Sequence, residues 1–205
     1  LGDSAWLFVA TVGEASEKFA QILRIRRQLD AVRVPQIRDL VSSFDSLAVH
    51  FDPRDGEAVM DWLKSIEIPA TLEDVETSDR THVIPLRYGN DLDKVAKKLG
   101  RTVDEVIRLH SGATYTVAAI GFSPGFPYLI GLPEELRLPR LDTPRPVSAG
   151  SVAIAGDQAG IYPFDSQGGW HVIGQTSLTL FDPQNDSPSL LAPGDRVKFT
   201  AVESL

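Results

Sequence analysis

The sequence predicts an α+β protein whose N-terminal part alternates strands with amphipathic helices and whose C-terminal part is a small β-barrel. Strand-like and helix-like runs in residues 1–90 follow the order β-α-β-β-α-β. Glycine and proline are distributed unevenly, with 5 Gly and 4 Pro in residues 1–111 against 11 Gly and 10 Pro in residues 112–205. Short strands separated by such turn residues are typical of small barrels, which leave no open sheet edge.

The first half supplies an ordered series of candidate elements. They are a strand at 6–12, an amphipathic helix ended by Pro35, strands at 37–42 and 46–51, a second amphipathic helix around Trp62, and a strand at 82–86. Proline ends the first helix because the residue before it avoids the α region. The second helix is predicted from apolar residues spaced three and four positions apart. This order is the ferredoxin-like split arrangement, and we expect it to fill residues 1–90.

Residues 91–112 are predicted to form a short helical connector. Gly100 ends a first helix, and the sequence Thr102-Val-Asp-Glu105 is a capping box that begins a second one. Two short helices in succession also occur in DNA-binding proteins, but the net charge of −8 argues against a nucleic-acid surface. His110 lies near the end of the second helix, where the helix dipole favours a charged histidine.

Composition narrows the expected location and chemistry. No apolar run approaches the roughly 20 residues that a membrane helix needs, and the first residues carry no basic region of a signal peptide. The absence of cysteine excludes disulfides, thiolate catalysis and cysteine-ligated metals. The histidines, at 50, 82, 110 and 171, have no H-x-x-x-H spacing, so we expect no metal site. We expect a cytoplasmic protein that binds neither membranes nor nucleic acid.

The second half, residues 113–205, is predicted to form the barrel. Its candidate strands are 115–122, 151–155, 160–162, 170–174, 178–181 and 196–200. After the first of them comes the stretch Ile120-Gly-Phe-Ser-Pro-Gly-Phe-Pro-Tyr-Leu129, in which aromatic residues alternate with glycines and prolines. Because glycine permits positive φ and proline fixes φ at about −65°, we expect a stiff loop that carries aromatic side chains.

This stretch contains a G-x-S-x-G sequence centred on Ser123, a pattern that in some hydrolases places a nucleophilic serine. That mechanism uses the backbone N–H of the next residue, which here is Pro124 and has none. A serine hydrolase is therefore not expected. The chain also lacks the glycine-rich phosphate-binding motifs, so the usual phosphate site is absent from it.

The segment Asp165-Ser-Gln-Gly-Gly-Trp-His171 is a second candidate for a site. Polar and aromatic side chains on a glycine-rich turn often line small-molecule sites. A hairpin turn followed by a barrel strand with a buried tryptophan explains the same residues equally well. The two interpretations stay open at this point.

Several motifs of the chain resemble those of one protein family. They are Leu1-Gly-Asp-Ser4, Gly121-Phe-Ser-Pro-Gly-Phe-Pro-Tyr-Leu129, Pro146-Val-Ser-Ala-Gly-Ser-Val152, Gly160-Ile-Tyr-Pro163, Ser166-Gln-Gly-Gly-Trp170, Leu180-Phe-Asp-Pro183 and Pro193-Gly-Asp-Arg-Val197. Together they resemble the B subunit of 5-oxoprolinase, whose family is also labelled allophanate hydrolase subunit 1 and KipI, a histidine-kinase inhibitor. The resemblance covers essentially the whole chain and is tightest in residues 112–200.

The resemblance implies a ferredoxin-like N-terminal domain followed by a cyclophilin-like β-barrel. It implies a protein that is inactive alone and that, with the A and C subunits of the enzyme, cleaves 5-oxo-L-proline to L-glutamate with hydrolysis of ATP. Two alternatives stay open: a KipI-like inhibitor of a sensor histidine kinase, and an allophanate or urea carboxyl-transfer subunit. Met60 is the only methionine, so the chain contains no Met-Lys-Met biotinylation sequence. No catalytic residue, metal ligand or biotin site is assigned.

Candidate contact residues come from the two glycine-rich segments. We expect a groove or substrate site lined by Ser123, Phe126, Tyr128, Gln167, Trp170 and His171. For the inhibitor alternative, Phe122 joins the aromatic residues that line a groove for a proline-containing segment. Asp3 and Ser4 are candidates for a contact at the junction of the two domains.

Overall fold

The computed structural model describes residues 2–13, 15–66 and 80–205. The chain separates into two compact units, Leu1–Glu76 and Thr77–Leu205. In the part of the chain described, no helix is both long and apolar enough to cross a lipid bilayer.

The N-terminal unit packs two helices against one face of a three-stranded sheet. Its elements are β1 (Ala5–Val9), α1 (Ala15–Ala31), β2 (Ile37–Ser42), β3 (Ser46–Phe51), a 3₁₀ turn (Pro53–Asp55) and α2 (Gly56–Ser65). The strand order is β1-β3-β2, and β3 is antiparallel to both neighbours. β1 and β2 are therefore parallel with β3 between them, which is the split β-α-β geometry.

The core of this unit follows from the alternation of side chains along β3. Leu47, Val49 and Phe51 share one face of the strand and are 0–2% exposed. They form one apolar cluster with Ile22 of α1 and Val59 of α2. The predicted helices and the predicted β2–β3 hairpin are confirmed.

The C-terminal unit contains a closed barrel of seven strands. Its elements are β4 (Thr81–Tyr88), α3 (Leu92–Leu99), α4 (Val103–Gly112), β5 (Tyr115–Ile120), β6 (Pro127–Ile130), a 3₁₀ turn (Glu134–Leu136), β7 (Arg145–Val147), β8 (Ser151–Ala155), β9 (Gln158–Ile161), β10 (Ser166–Gly168), β11 (His171–Gln175) and β12 (Arg196–Ala201). The barrel order is β11-β4-β12-β5-β6-β9-β8, and β8 pairs with β11 to close it. β7 and β10 form a separate two-stranded ribbon. The predicted α+β class and the C-terminal barrel are confirmed.

The helices α3 and α4 pack on the barrel core, since Val95 and Val106 belong to the same apolar cluster as the interior strand residues. α4 begins at the predicted capping box, in which the Thr102 hydroxyl accepts from the Glu105 N–H at 3.2 Å and the Glu105 carboxylate accepts from the Thr102 N–H at 2.8 Å. The prediction for His110 is wrong. Its side chain is fully buried, and burial lowers its pKa to about 3, so it is a neutral core residue.

The strand predicted at 82–86 as the last strand of the N-terminal sheet belongs to the barrel instead. β4 pairs in parallel with β12, from Thr81 opposite Arg196 to Leu86 opposite Ala201, and antiparallel with β11. An apolar strand pattern identifies a strand but not its partner, which here lies far along the chain. The ferredoxin-like class of the N-terminal part, which needs a fourth strand, stays a prediction.

Two further strand predictions differ from the structure. Pro127–Ile130 forms β6, although the sequence predicts a loop throughout 120–129. Proline is tolerated there because it is the first residue of the strand. The sequence also predicts a strand at 178–181, but only Phe181 forms an isolated bridge, with Ser189. Leu180 is 1% exposed within the barrel cluster, so burial alone explains the apolar pattern.

Candidate binding groove

The outer face of four adjacent barrel strands, β6, β9, β8 and β11, carries an apolar cluster of its own. Successive residues of a strand point to opposite sides of a sheet. In β8, Val152 and Ile154 belong to the barrel interior, whereas Ala153 and Ala155 belong to the outer cluster. Both faces of β8 are therefore buried, and something must cover the outer one.

The cover is a group of five aromatic side chains, which we call the open aromatic cluster: Phe122, Phe126, Tyr128, Tyr162 and Trp170. Phe126 is central, and its ring centroid lies 5.0 Å from Tyr128, 5.1 Å from Tyr162, 5.3 Å from Phe122 and 5.9 Å from Trp170. All four contacts are edge-to-face, an arrangement that the ring quadrupoles favour. The rings therefore fix one another's orientation.

Gly160 makes room for the central ring. A Cβ atom at this position would lie only 2.7 Å from Cζ of Phe126 and 3.1 Å from the carbonyl oxygen of Pro127. Gly160 stands opposite Tyr128 on β6 and Ala153 on β8, in the middle of the wall. Any larger residue at this position would push Phe126 off the barrel.

A groove of about 320 Å³ opens over the open aromatic cluster. Its lining consists of the five aromatic residues together with Arg140, Leu141, Asp142, Pro144, Gln167, Gly168 and Gly169. Phe126 and Tyr162 are each 2% exposed and form the floor, whereas Phe122 is 61% exposed at the rim. A mostly apolar groove with a few polar groups at its edge has the character of a small-molecule site.

Arg140 and Asp142 supply the charged groups of the groove, and both side chains are exposed. Within residues 2–13, 15–66 and 80–205, neither forms an ion pair with another side chain. Burial and the neighbouring Tyr128 raise the pKa of Tyr162, while the positive charge of Arg140 acts in the opposite direction. The Tyr162 phenol is therefore neutral at neutral pH.

Four of the six predicted contact residues come together in this groove: Phe126, Tyr128, Gln167 and Trp170. Ser123 is not among the lining residues. It lies in the turn between β5 and β6, where its carbonyl oxygen accepts a hydrogen bond from the Phe126 N–H at 3.1 Å. Its place in the structure is that of a turn residue that positions the central ring.

His171 also lies outside the lining. It stands opposite Ile154 on β8, so its side chain is on the interior side of the wall. The ring is 3% exposed, and its Nε2 lies 3.0 Å from the Pro139 carbonyl oxygen, to which it donates. Burial lowers the pKa of His171. The burial of His171 and of Trp170, which is 6% exposed, supports the interpretation of this segment as a hairpin turn followed by a barrel strand.

Asp3 and Ser4 lie just before β1. Asp3 is exposed, and the Ser4 carbonyl oxygen accepts from the Phe51 N–H at 3.0 Å, which extends the pairing of β1 with β3. Their role at a domain junction stays a prediction.

A second pocket, of about 250 Å³, is lined by polar residues (Asn90, Asp91, Arg145, Ser148, Ser151) and by Pro146, Val147 and Val172. The Asp91 carboxylate is 6% exposed and forms ion pairs with Arg145 and with Lys94, the latter at 3.5 Å. Among the described residues, no group of three or more histidine, aspartate or glutamate side chains is placed to hold a metal ion. The open aromatic cluster is therefore the stronger candidate for a site.

Residues 1–191 match the protein family described as carboxyltransferase domain, subdomain C and D. A Bacillus subtilis protein named as the B subunit of 5-oxoprolinase is 35% identical over 219 residues, which cover 98% of this chain and 91% of the relative. The protein of the same name from Haemophilus influenzae is 40% identical over 195 residues, which cover 93% of this chain and 88% of the relative. This chain belongs to the family of 5-oxoprolinase B subunits.

The other matches are a further protein of the same name and two longer chains that contain this fold. The protein of the same name from Escherichia coli O157:H7 is 50% identical over 132 residues, which span 62% of this chain and 61% of the relative. The protein in the crystal structure of TTHA0988 is 36% identical in sequence to this chain, with a TM-score of 0.86. The match covers 98% of this chain but only 40% of the chain of TTHA0988. The urea carboxylase of Kluyveromyces lactis, at 19% identity and a TM-score of 0.67, shares the fold over 21% of its length.

Sequence reasoning missed three side chains of the lining that carry polar groups: Arg140, Asp142 and Tyr162. Tyr162 could have been found, because it follows an alternating strand in which Ile161 faces the interior. Arg140 and Asp142 lie in an irregular segment between the 3₁₀ turn and β7, where no periodicity shows which way a side chain points.

Proposed function

We propose that this chain is the B subunit of an ATP-dependent 5-oxoprolinase complex, which opens 5-oxo-L-proline to L-glutamate, and that the groove receives the cyclic amide. The observation that carries the proposal is the open aromatic cluster with polar groups at its rim, in a chain whose relatives are named for this enzyme. The carbon atoms of the ring would pack on the aromatic floor, and the amide would bond to rim groups such as Gln167.

The groove is suited to binding rather than to catalysis on its own. Among the described residues that line it, there is no serine, cysteine, lysine or histidine that could act as a nucleophile beside a base. A lactam amide is a weak electrophile, and transfer of phosphate from ATP to its oxygen would make the carbonyl reactive. Since this chain lacks a phosphate-binding motif, we assign the nucleotide to the A and C subunits, and to this chain the orientation of the lactam. Use of ATP is consistent with a cytoplasmic complex.

The test is reconstitution of the complex from its three purified subunits. We expect ADP release that depends on 5-oxo-L-proline and that disappears when this chain is omitted. Tyr128→Ala, which removes a groove ring, should reduce kcat/KM about tenfold or more. Phe164→Ala removes a partly exposed ring outside the lining and serves as the matched control. Full activity without this chain would show that the proposal is wrong.

A second function is favoured by the exposure of Phe122 at the groove rim. Aromatic-lined grooves can also bind proline-containing peptide segments, as an inhibitor of a sensor histidine kinase would require. Autophosphorylation of the histidine kinases of the same cell, measured with and without this chain, tests that role. An unchanged rate with every kinase would exclude it. For carboxyl transfer, the likeness to urea carboxylase supports the fold alone.

A further inference from the structure

We propose that Arg140 recognises the carboxylate of a small cyclic amide acid whose ring lies on the open aromatic cluster. The proposal rests on the proposed function and deepens it, because it assigns the anionic end of the ligand to one side chain. It makes Arg140 the residue that selects an acid over a neutral lactam of the same ring size.

The first argument is that the Arg140 guanidinium is available. Elsewhere in the chain, Arg145 pairs with Asp91, and both Arg38 and Arg54 pair with Asp52. Over the described ranges, no carboxylate is within ion-pair distance of Arg140, although Asp142 lies on the same rim. An arginine without an internal partner presents its full set of donors, which match a carboxylate in a bidentate geometry.

The second argument is the surface beside it. Tyr162 lines the same groove as Arg140 and belongs to the aromatic floor together with Phe126 and Trp170. A ligand held by its carboxylate at Arg140 would therefore place its remaining atoms over these rings. A five-membered ring with a carboxylate on one carbon is apolar on the side away from its polar groups, and the groove of about 320 Å³ is large enough for it.

The third argument is the mixture of charges at the rim. The Asp142 carboxylate would repel a ligand with several negative charges, such as a nucleoside triphosphate. A single carboxylate at Arg140 leaves Asp142 free to accept a hydrogen bond from an amide N–H. Gln167 carries both a donor and an acceptor for the amide group. The rim therefore fits a ligand with one carboxylate and one amide.

The experiment compares two ligands that differ only in the carboxylate, 5-oxo-L-proline and 2-pyrrolidinone. Binding of each to the full chain, and to the reconstituted complex, is measured by titration calorimetry for the unchanged protein, Arg140→Gln and Arg140→Lys. The matched control is Arg137→Gln, an exposed arginine three residues away that does not line the groove. Arg140 is itself exposed, so these variants should fold normally.

We expect Arg140→Gln to weaken binding of 5-oxo-L-proline at least tenfold and to change binding of 2-pyrrolidinone less than twofold. Arg140→Lys should restore part of the loss, because it keeps the charge but not the planar fork. Arg137→Gln should change neither ligand. Binding of 2-pyrrolidinone also shows that the groove of each variant is intact.

Equal losses for both ligands, no loss in Arg140→Gln, or no binding of 5-oxo-L-proline to the unchanged protein would each overturn the assignment of Arg140. These results are distinct from failure of the proposed function, which is judged by ADP release with and without this chain. A complex that needs the chain but binds 5-oxo-L-proline equally well in Arg140→Gln would keep the function and remove Arg140 from it.

Discussion

The C-terminal unit contains two aromatic clusters of similar composition and opposite character. One is the open aromatic cluster on the outer wall. The other, which we call the closed aromatic cluster, consists of Tyr88, His110, Tyr115 and Phe199. There the ring of His110 lies 4.7 Å from Phe199 and 5.3 Å from Tyr115, and its Nδ1 is 2.8 Å from the Tyr88 hydroxyl.

The two clusters differ in their access and in the charged groups beside them. In the closed aromatic cluster, the Tyr115 hydroxyl donates to the His110 carbonyl oxygen at 3.1 Å, and the cluster faces the barrel core. In the open aromatic cluster, the charged groups of Arg140 and Asp142 stand at the rim with no ion-pair partner among the described residues. Aromatic composition alone therefore does not mark a binding site. Access from one side and charged side chains at the rim mark it.

The largest expected effect separates the clusters by stability. Tyr115→Ala should lower the free energy of unfolding by about 3–5 kcal/mol, because it leaves a cavity in a fully buried site. Tyr128→Ala, in the half-buried groove, should lower it by only about 1 kcal/mol while impairing binding. Urea unfolding of both variants measures the difference. Equal destabilisation would mean that the open aromatic cluster is a second core rather than a site.

The hairpin that carries the open aromatic cluster should depend on Gly125. This residue has φ +77°, and a Cβ atom there would lie 2.7 Å from Cβ of Phe181 and 3.0 Å from the Leu180 carbonyl oxygen. Gly125→Val should therefore lower the free energy of unfolding by about 3 kcal/mol, from backbone strain and overpacking. Gly112→Val is the control, because nothing lies within 4 Å of its added Cβ. Similar midpoints in urea for the two variants would contradict this account.

Acid should weaken the closed aromatic cluster specifically. Burial lowers the pKa of His110 to about 3, whereas an unfolded histidine titrates at about 6.5. As the pH falls between these values, the unfolded state binds the proton and the folded state does not, so stability is lost. The expected loss from this residue is about 2 kcal/mol between pH 7 and pH 5. Urea unfolding of His110→Gln at pH 7 and pH 5 should show a smaller loss of unfolding free energy than the unchanged protein shows. An identical loss in both proteins would refute the assignment of this acid sensitivity to His110.

The smallest expected effect concerns Phe122, which has φ +66° despite its bulky side chain. Phe122→Gly relieves the strained backbone but removes a ring that is 61% exposed, so the free energy of unfolding should change by less than about 1 kcal/mol. Binding in the groove should nevertheless weaken. Asn90→Gly, at φ +59°, is the control for the backbone effect alone. A large loss of stability in Phe122→Gly would show that the ring belongs to the core.

Local patterns in the sequence are sufficient to predict the helices and hairpins that are determined by interactions between residues near one another in the chain. The α4 helix follows from Thr102 and Glu105, and the β2–β3 hairpin from two apolar runs around a turn. The barrel partner of β4 cannot be found in this way, because it is set by residues 196–201. Phe126 and Trp170 are predicted as site residues from the glycines beside them. Arg140 is not, since only the path of an irregular segment brings it to the groove.

The parallel pairing of β4 with β12 has a consequence for the synthesis of the protein. Thr81 and Arg196 are register partners, so the ribosome must complete nearly the whole C-terminal unit before the barrel can close. Until β12 emerges, β4 and β5 each have an unpaired edge that can join a strand of another chain. Contacts this far apart in sequence also form slowly. We therefore expect an aggregation-prone interval during synthesis, which binding of a chaperone to the open edges would shorten.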